Sequence, residues 1–327
     1  VDTAQFFAAS RVVIVAGKGG VGKTTVAATL AKAAARTGLT TLVVEVEGKS
    51  GLPGLFGQST IGYDESTLSP GGGPDGAADV RARALTPDDA LLDYLADHGL
   101  NRVSRRLVGS GALDLVATAA PGIRDILILG KVKQIEAAGA HNLIVLDAPA
   151  AGHAISFLRS AAGLLDAVSV GPIHTQAAEV LALLTDPARC QVMLVTLPEE
   201  TPVNELVQTA YSLEEDVGIS LAPVVVNGLY PDVSGLDTDP MSAATAAGAT
   251  IDAAMAQCLT DAARFRGLRT ELQAAQVARL AEQLPLPQIH LPYQFTSDLG
   301  PAQLDHLASA LLAQIPGLPS ITTGSSS

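Results

Sequence analysis

The run Gly17-Lys18-Gly19-Gly20-Val21-Gly22-Lys23-Thr24-Thr25 narrows the choice of fold more than any other stretch of this chain. It fits the phosphate-loop pattern G-x-x-x-x-G-K-[ST] at every fixed position. The flanks agree with that pattern. Arg11 to Ala16 reads as a buried strand, and Lys23 to Arg36 reads as an Ala-rich helix with Val26 and Leu30 one turn apart. Glycines let backbone N–H groups turn inward around a phosphate, and the helix N-terminus behind them adds unsatisfied donors and partial positive charge. Gly19, Gly20, Val21, Gly22, Lys23, Thr24 and Thr25 are therefore the candidate phosphate-binding residues. Lys23 is expected to reach the β- and γ-phosphates of a bound nucleotide, and the Thr24 hydroxyl to be a ligand of Mg²⁺.

Further apolar strands are expected at 41–47, 80–85, 142–147, 191–197, 223–227 and 288–291, alternating with helical segments. That alternation predicts an α/β fold with a mostly parallel sheet covered on both faces by helices. Asn142 to Asp147 ends in an acid, and a strand-terminal Asp beside a phosphate loop is the usual second support for Mg²⁺, generally through water; a helix-capping Asp is the alternative. The stretch 48–56 is rich in Gly and Pro and reads as loop, as does 66–79 with its Gly71-Gly72-Gly73-Pro74 run. Thr86-Pro87-Asp88-Asp89 has the composition of a helix start. One domain over 1–315 is expected, with helical insertions at about 86–120 and 235–284 and a flexible tail at 316–327. In the second insertion Leu268, Leu272 and Ala275 recur at helical spacing.

Composition excludes several classes. Of 327 residues, 48% are hydrophobic and 16% charged, so the chain is globular rather than disordered. Asp147, His153, Arg159 and Asp166 interrupt the most apolar region, which leaves no membrane-spanning run. The N-terminus lacks a basic segment followed by an apolar one, and a cytoplasmic protein is expected. A net charge of −13 argues against nucleic acid as a partner. Cys190 and Cys258 form neither a disulfide framework nor a C-x-x-C pair.

Lys18 is not required by the phosphate-loop pattern. The K-G-G-V-G-K-T-T run resembles the deviant phosphate loop of the arsenite-pump, tail-anchored-protein-targeting, septum-site and partition ATPases. In that group the extra lysine reaches across a dimer interface to the partner's nucleotide; a solvated loop lysine is the alternative. From about Arg11 to Leu312 the chain resembles the arsenite-pump (ArsA) family, which includes the ATPases that target tail-anchored membrane proteins. Its excess of Arg over Lys and its abundant Ala are similar to an actinobacterial member.

The resemblance implies roles residue by residue. Glu47 falls where the family has the switch I Asp that positions or activates the attacking water, and Phe56 keeps the family spacing from it. Asp147 to His153, including Gly152, matches switch II, with Ala151 in place of a Thr. Pro121-Gly122-Ile123 and Pro198-Glu199-Glu200 match shorter family segments. Asn227 matches an Asn that reads adenine, and Pro292 falls where a Pro packs on the adenine ring. Lys18 and Glu47 are thus the implied catalytic residues. Glu for Asp at switch I shifts a carboxylate by about 1 Å, which can slow hydrolysis by on the order of 10²-fold.

The chain is therefore read as a Mg²⁺-dependent, dimeric ATPase, a homodimer or a heterodimer with a paralogue. It would couple nucleotide state to a protein or membrane-protein client. The alternatives are an energising subunit of an anion or metalloid transporter, with arsenite disfavoured by the missing cysteines, and a small-molecule kinase.

Overall fold

In the computed structural model, residues 2–46, 51–72, 76–97, 122–149 and 151–319 are described. Their organising element is an eight-stranded sheet. In chain order its strands are β1 (Val12–Gly17), β2 (Thr41–Val46), β3 (Ser66–Ser69), β4 (Val80–Leu85), β5 (Leu143–Asp147), β6 (Cys190–Thr196), β7 (Val224–Leu229) and β8 (Gln288–Pro292). They lie side by side as β3-β4-β2-β5-β1-β6-β7-β8, and every pairing is parallel except β3 with β4.

The helices are α1 (Thr3–Ala8), α2 (Lys23–Arg36), α3 (Leu52–Leu55), α4 (Pro87–Asp97), α5 (Ile123–Ala138), α6 (Ala151–Ala167), α7 (Pro172–Thr185), α8 (Glu200–Val217), α9 (Pro240–Ala246), α10 (Ala253–Gln283) and α11 (Pro301–Gln314). Central strands alternate their side chains between two apolar layers, as a sheet buried on both faces must. Val12, Ile14 and Ala16 of β1 pack with Ile128 and Leu129 of α5, Phe157 of α6 and Leu206 of α8. Val13 and Val15 face the other way, onto Val26 and Leu30 of α2 and Leu304 and Leu307 of α11. Small side chains let α2 lie close to the sheet: Ala27, Ala28, Ala31, Ala33 and Ala34 are all fully buried.

Several expectations need correction. Within 48–56, Leu52–Leu55 forms a short helix with Pro53 in its first turn. Burial of Leu52, Pro53 and Leu55 on the α2 layer outweighs the Gly-rich composition. Within 66–79, Ser66–Ser69 pairs antiparallel with β4 and buries Leu68, so β4 has a partner on its outer side. Within the expected tail, Ile315–Gly317 forms a 3₁₀ turn with Ile315 buried, and the Leu318 N–H donates to the Ile315 carbonyl; residues 320–327 lie outside the described residues.

Of the segment 86–120, residues to Asp97 are described, and α4 starts after Thr86, with the Asp89 N–H donating to the Thr86 hydroxyl. The segment 235–284 holds α9 and the 31-residue α10. There the spacing of Leu268 and Leu272 marks an outward face: they are 57% and 45% exposed, and the buried positions of α10 are Gln273 and Leu280. Among the described residues no helix is long and apolar enough to cross a membrane.

Candidate active site

Parallel strands run the same way, so the C-terminal ends of β1, β2, β5, β6 and β7 collect at one edge of the sheet, with β1 between β5 and β6 at its centre. The loop between β1 and α2 is that of the sequence motif. Gly22, the residue before α2, has φ 89°, a left-handed conformation suited to glycine. A Cβ there would lie 2.3 Å from the Asn227 amide nitrogen, and one at Gly17 would lie 2.4 Å from the Val195 carbonyl oxygen. The loop therefore needs glycine for its backbone shape and for its closeness to β6 and β7.

Thr24 and Asp147 meet where α2 begins and β5 ends. The Thr24 hydroxyl donates to Asp147 Oδ2 at 2.6 Å, which joins the first turn of α2 to the end of β5. The other oxygen, Asp147 Oδ1, is buried and has no hydrogen-bond partner. Burial pushes the Asp147 carboxyl up to about 6; the Thr24 hydrogen bond and the Lys23 charge pull the other way, and Glu45 adds like charge. Glu45 is itself buried in β2, in register with Asp147. Lys23 Nζ donates to the Lys18 carbonyl at 3.1 Å, and burial lowers its pKa against the opposing pull of Asp147.

A carboxylate oxygen buried without a donor, next to a hydroxyl and within the field of a lysine, is a site short of positive charge. The donor set of hydroxyl and carboxylate oxygens suits Mg²⁺, which prefers hard oxygen ligands and retains water. Thr24 and Asp147 fit the ion that the motif implies.

The other predicted residues fall as follows. Asn227, within β7, donates Nδ2 to the Val21 carbonyl at 2.9 Å, so it ties β7 to the phosphate loop. Pro292 ends β8, beside an aromatic group of Tyr230, Tyr293 and Phe295 whose ring centroids are 4.8 to 5.2 Å apart. The Lys18 side chain pairs within its own chain, Nζ to Glu205 Oε1 of α8 at 2.5 Å. Gly152 and His153 lie in the first turn of α6. Glu47 and Pro121 lie outside the described residues.

Sequence reasoning missed two contributors. Glu205 is one of several acids on α8, and its spacing alone does not distinguish it from a solvated face. Buried Gln273 of α10 donates to the Gly228 carbonyl at 3.1 Å and accepts from the Tyr230 N–H at 2.9 Å, bracing the strand end that carries Asn227. A polar residue within an otherwise exposed helix gives no sequence signal of that kind.

A strand, phosphate loop and helix at the centre of a parallel sheet, joined by Thr24 to a strand-end Asp, define a P-loop nucleotide-binding protein. The chain belongs to the CobQ/CobB/MinD/ParA nucleotide-binding domain family, whose profile matches residues 12–304. It is 32% identical to the ATPase BagA of Mycobacterium tuberculosis over 304 residues, covering 86% of this chain and 87% of that one. A Halobacterium salinarum protein described as an arsenical pump-driving ATPase is 27% identical over 245 residues, 69% of this chain and 36% of its own. The ATPase get3 of Neurospora crassa is 29% identical over 151 residues, 46% of this chain and 42% of its own. The arsenite-pump and tail-anchored-protein-targeting resemblance therefore holds, and the protein is an ATPase of this class.

Proposed function

We propose that this chain is a Mg²⁺-dependent ATPase that works as a dimer and couples its nucleotide state to binding of a protein or membrane-protein client. The observation that carries the reading is the Thr24–Asp147 contact with its orphaned Oδ1, placed where the phosphate loop and β5 converge. Bound Mg²⁺ would neutralise charge developing on the phosphates. The chain's own residues do the rest. Backbone N–H groups of Gly19 to Thr25 cradle the phosphates, and Lys23, now turned to the Lys18 carbonyl, exchanges that acceptor for phosphate oxygens. Asp147 orients the Thr24 hydroxyl, and Glu47 is the group assigned to the attacking water. Asn227 and Pro292 border the adenine. Lys18 is assigned to the partner's nucleotide, where a cation supplied in trans resembles an arginine finger, worth about 10³–10⁵ in rate.

The client reading is supported by the outer face of α10, where Phe265, Leu268 and Leu272 are exposed. An apolar stripe of this kind on a helix is a common docking surface. The transporter alternative gains nothing from the thiols. Cys190 is buried in β6, Cys258 is exposed on α10, and among the described residues no group of three or more His, Cys, Asp or Glu is placed to hold a metal ion.

The test mixes two variants, Lys18→Ala and Glu47→Gln, each expected to be inactive alone. With Lys18 acting in trans and Glu47 in cis, a mixed dimer holds one doubly damaged site and one intact site. ATP hydrolysis should return on mixing and should rise with protein concentration. Absence of recovery, with subunit exchange shown independently, would refute the trans assignment.

A further inference from the structure

We infer that Glu205 is a positioning residue: it holds the Lys18 ammonium within the single chain and so opposes pairing with a second copy. The inference rests on the reading that Lys18 acts in trans. Its basis is the ion pair between Lys18 Nζ and Glu205 Oε1 at 2.5 Å, each side chain 39% exposed. Glu205 lies in the second turn of α8, the helix that follows β6, and β6 is the immediate neighbour of β1. The pair therefore spans from the loop after one strand to the helix after the next, at the edge where the phosphate loop sits.

The backbone of Lys18 has a separate task, because its carbonyl accepts from Lys23. Its side chain can leave Glu205 without disturbing that bond. Lysine is a compact point charge on a flexible four-carbon stem, suited to transfer between two anionic acceptors. It cannot serve both acceptors fully at once. A triphosphate in a facing subunit offers several negative oxygens, whereas Glu205 offers one carboxylate, so the transfer is favoured only when that phosphate is present. Without it, Lys18 stays neutralised on its own chain.

A half-exposed pair of this type shifts an equilibrium by about 1.4- to 5-fold. A two-fold symmetric dimer opens two such pairs, and the combined effect is about 2- to 30-fold. Glu205 thus raises the protein concentration needed for pairing without forbidding it.

The experiment measures dimer dissociation constants by sedimentation, at low ionic strength, with Mg²⁺ and a non-hydrolysable ATP analogue. It compares the unmodified chain with Glu205→Gln, Lys18→Ala and the double variant. Glu205→Gln should tighten the dimer by about 2- to 30-fold. The gain should shrink as salt screens the pair, and it should vanish in the Lys18→Ala background, which a purely structural role for Glu205 would not produce. An unchanged or weakened Glu205→Gln dimer, with Lys18→Ala also weakened, would overturn the inference and leave the trans reading standing. A Lys18→Ala dimer as tight as the unmodified one would defeat the trans reading itself.

Discussion

Replacing Asp147 by Asn should stabilise the metal-free, nucleotide-free protein near neutral pH, even though it removes a carboxylate proposed to support Mg²⁺. Folded Asp147 keeps its proton up to about pH 6, whereas an unfolded Asp releases it near pH 4. Between those values the folded state binds the extra proton, so stability falls as pH rises. The favourable contribution is whole below about pH 4 and lost above about pH 6. The gap of about two pKa units amounts to about 3 kcal/mol at pH 8. Asparagine escapes that cost because it carries no charge, and its carbonyl can still accept from the Thr24 hydroxyl. With an unfolding entropy of about 2.1 cal/mol/K per residue, 3 kcal/mol over this chain is a rise of about 4 °C in Tm. Scanning calorimetry in EDTA from pH 4.5 to 8 is the assay. The Asn variant should melt close to the unmodified protein at the acid end and progressively above it towards pH 8. Adding Mg²⁺ and ATP should raise the Tm of the unmodified protein more than that of the variant. A difference that does not change with pH would show that Asp147 is not held as a costly buried charge.

Three other substitutions test neighbouring parts of the argument. Lys23→Ala removes a charge-assisted contact to phosphate and should weaken ATP binding by about 10- to 150-fold; an unchanged ATP-induced thermal shift would refute the assignment. Gly22→Ala places a Cβ 2.3 Å from the Asn227 amide at a residue with φ 89°, and should cost about 1–3 kcal/mol in denaturant unfolding as well as nucleotide affinity. Glu136→Gln, far from the site, leaves Arg189 without the carboxylate it contacts at 2.6 Å. It should cost about 1.5–3 kcal/mol in stability while leaving the KM for ATP unchanged.

The phosphate loop and Asp147 were legible in the sequence because their chemistry demands fixed residue types at fixed places along the chain. Their meeting through Thr24 follows from β1 and β5 being neighbours. Strand β3 was not legible: Ser66-Thr67-Leu68-Ser69 carries one apolar residue, and its pairing is decided by the outer edge of β4 rather than by its own pattern. The outward face of α10 shares its periodicity with a core face, and only the exposure of Leu268 and Leu272 distinguishes the two. Asn227 was assigned to adenine by resemblance. Its hydrogen bond to Val21 depends on how far the loop folds back towards β7, which no spacing in the chain encodes.

The contacts of Gln273 make α10 a mechanical lever. Its side chain clamps Gly228 and the Tyr230 N–H, and the adjacent Asn227 holds the phosphate loop at Val21. From Gln273 to Ala253 the helix runs about 30 Å, at about 1.5 Å per residue. A 5° tilt about that clamp would carry the far end through about 2.6 Å, while the strand end beside the pivot moved by only a fraction of an ångström. The short arm lies at the strand that holds the phosphate loop, and the far end of the long arm carries the exposed Met255 and Leu259. A shift too small to register in the loop would therefore be a displacement of side-chain dimensions where another molecule could meet it.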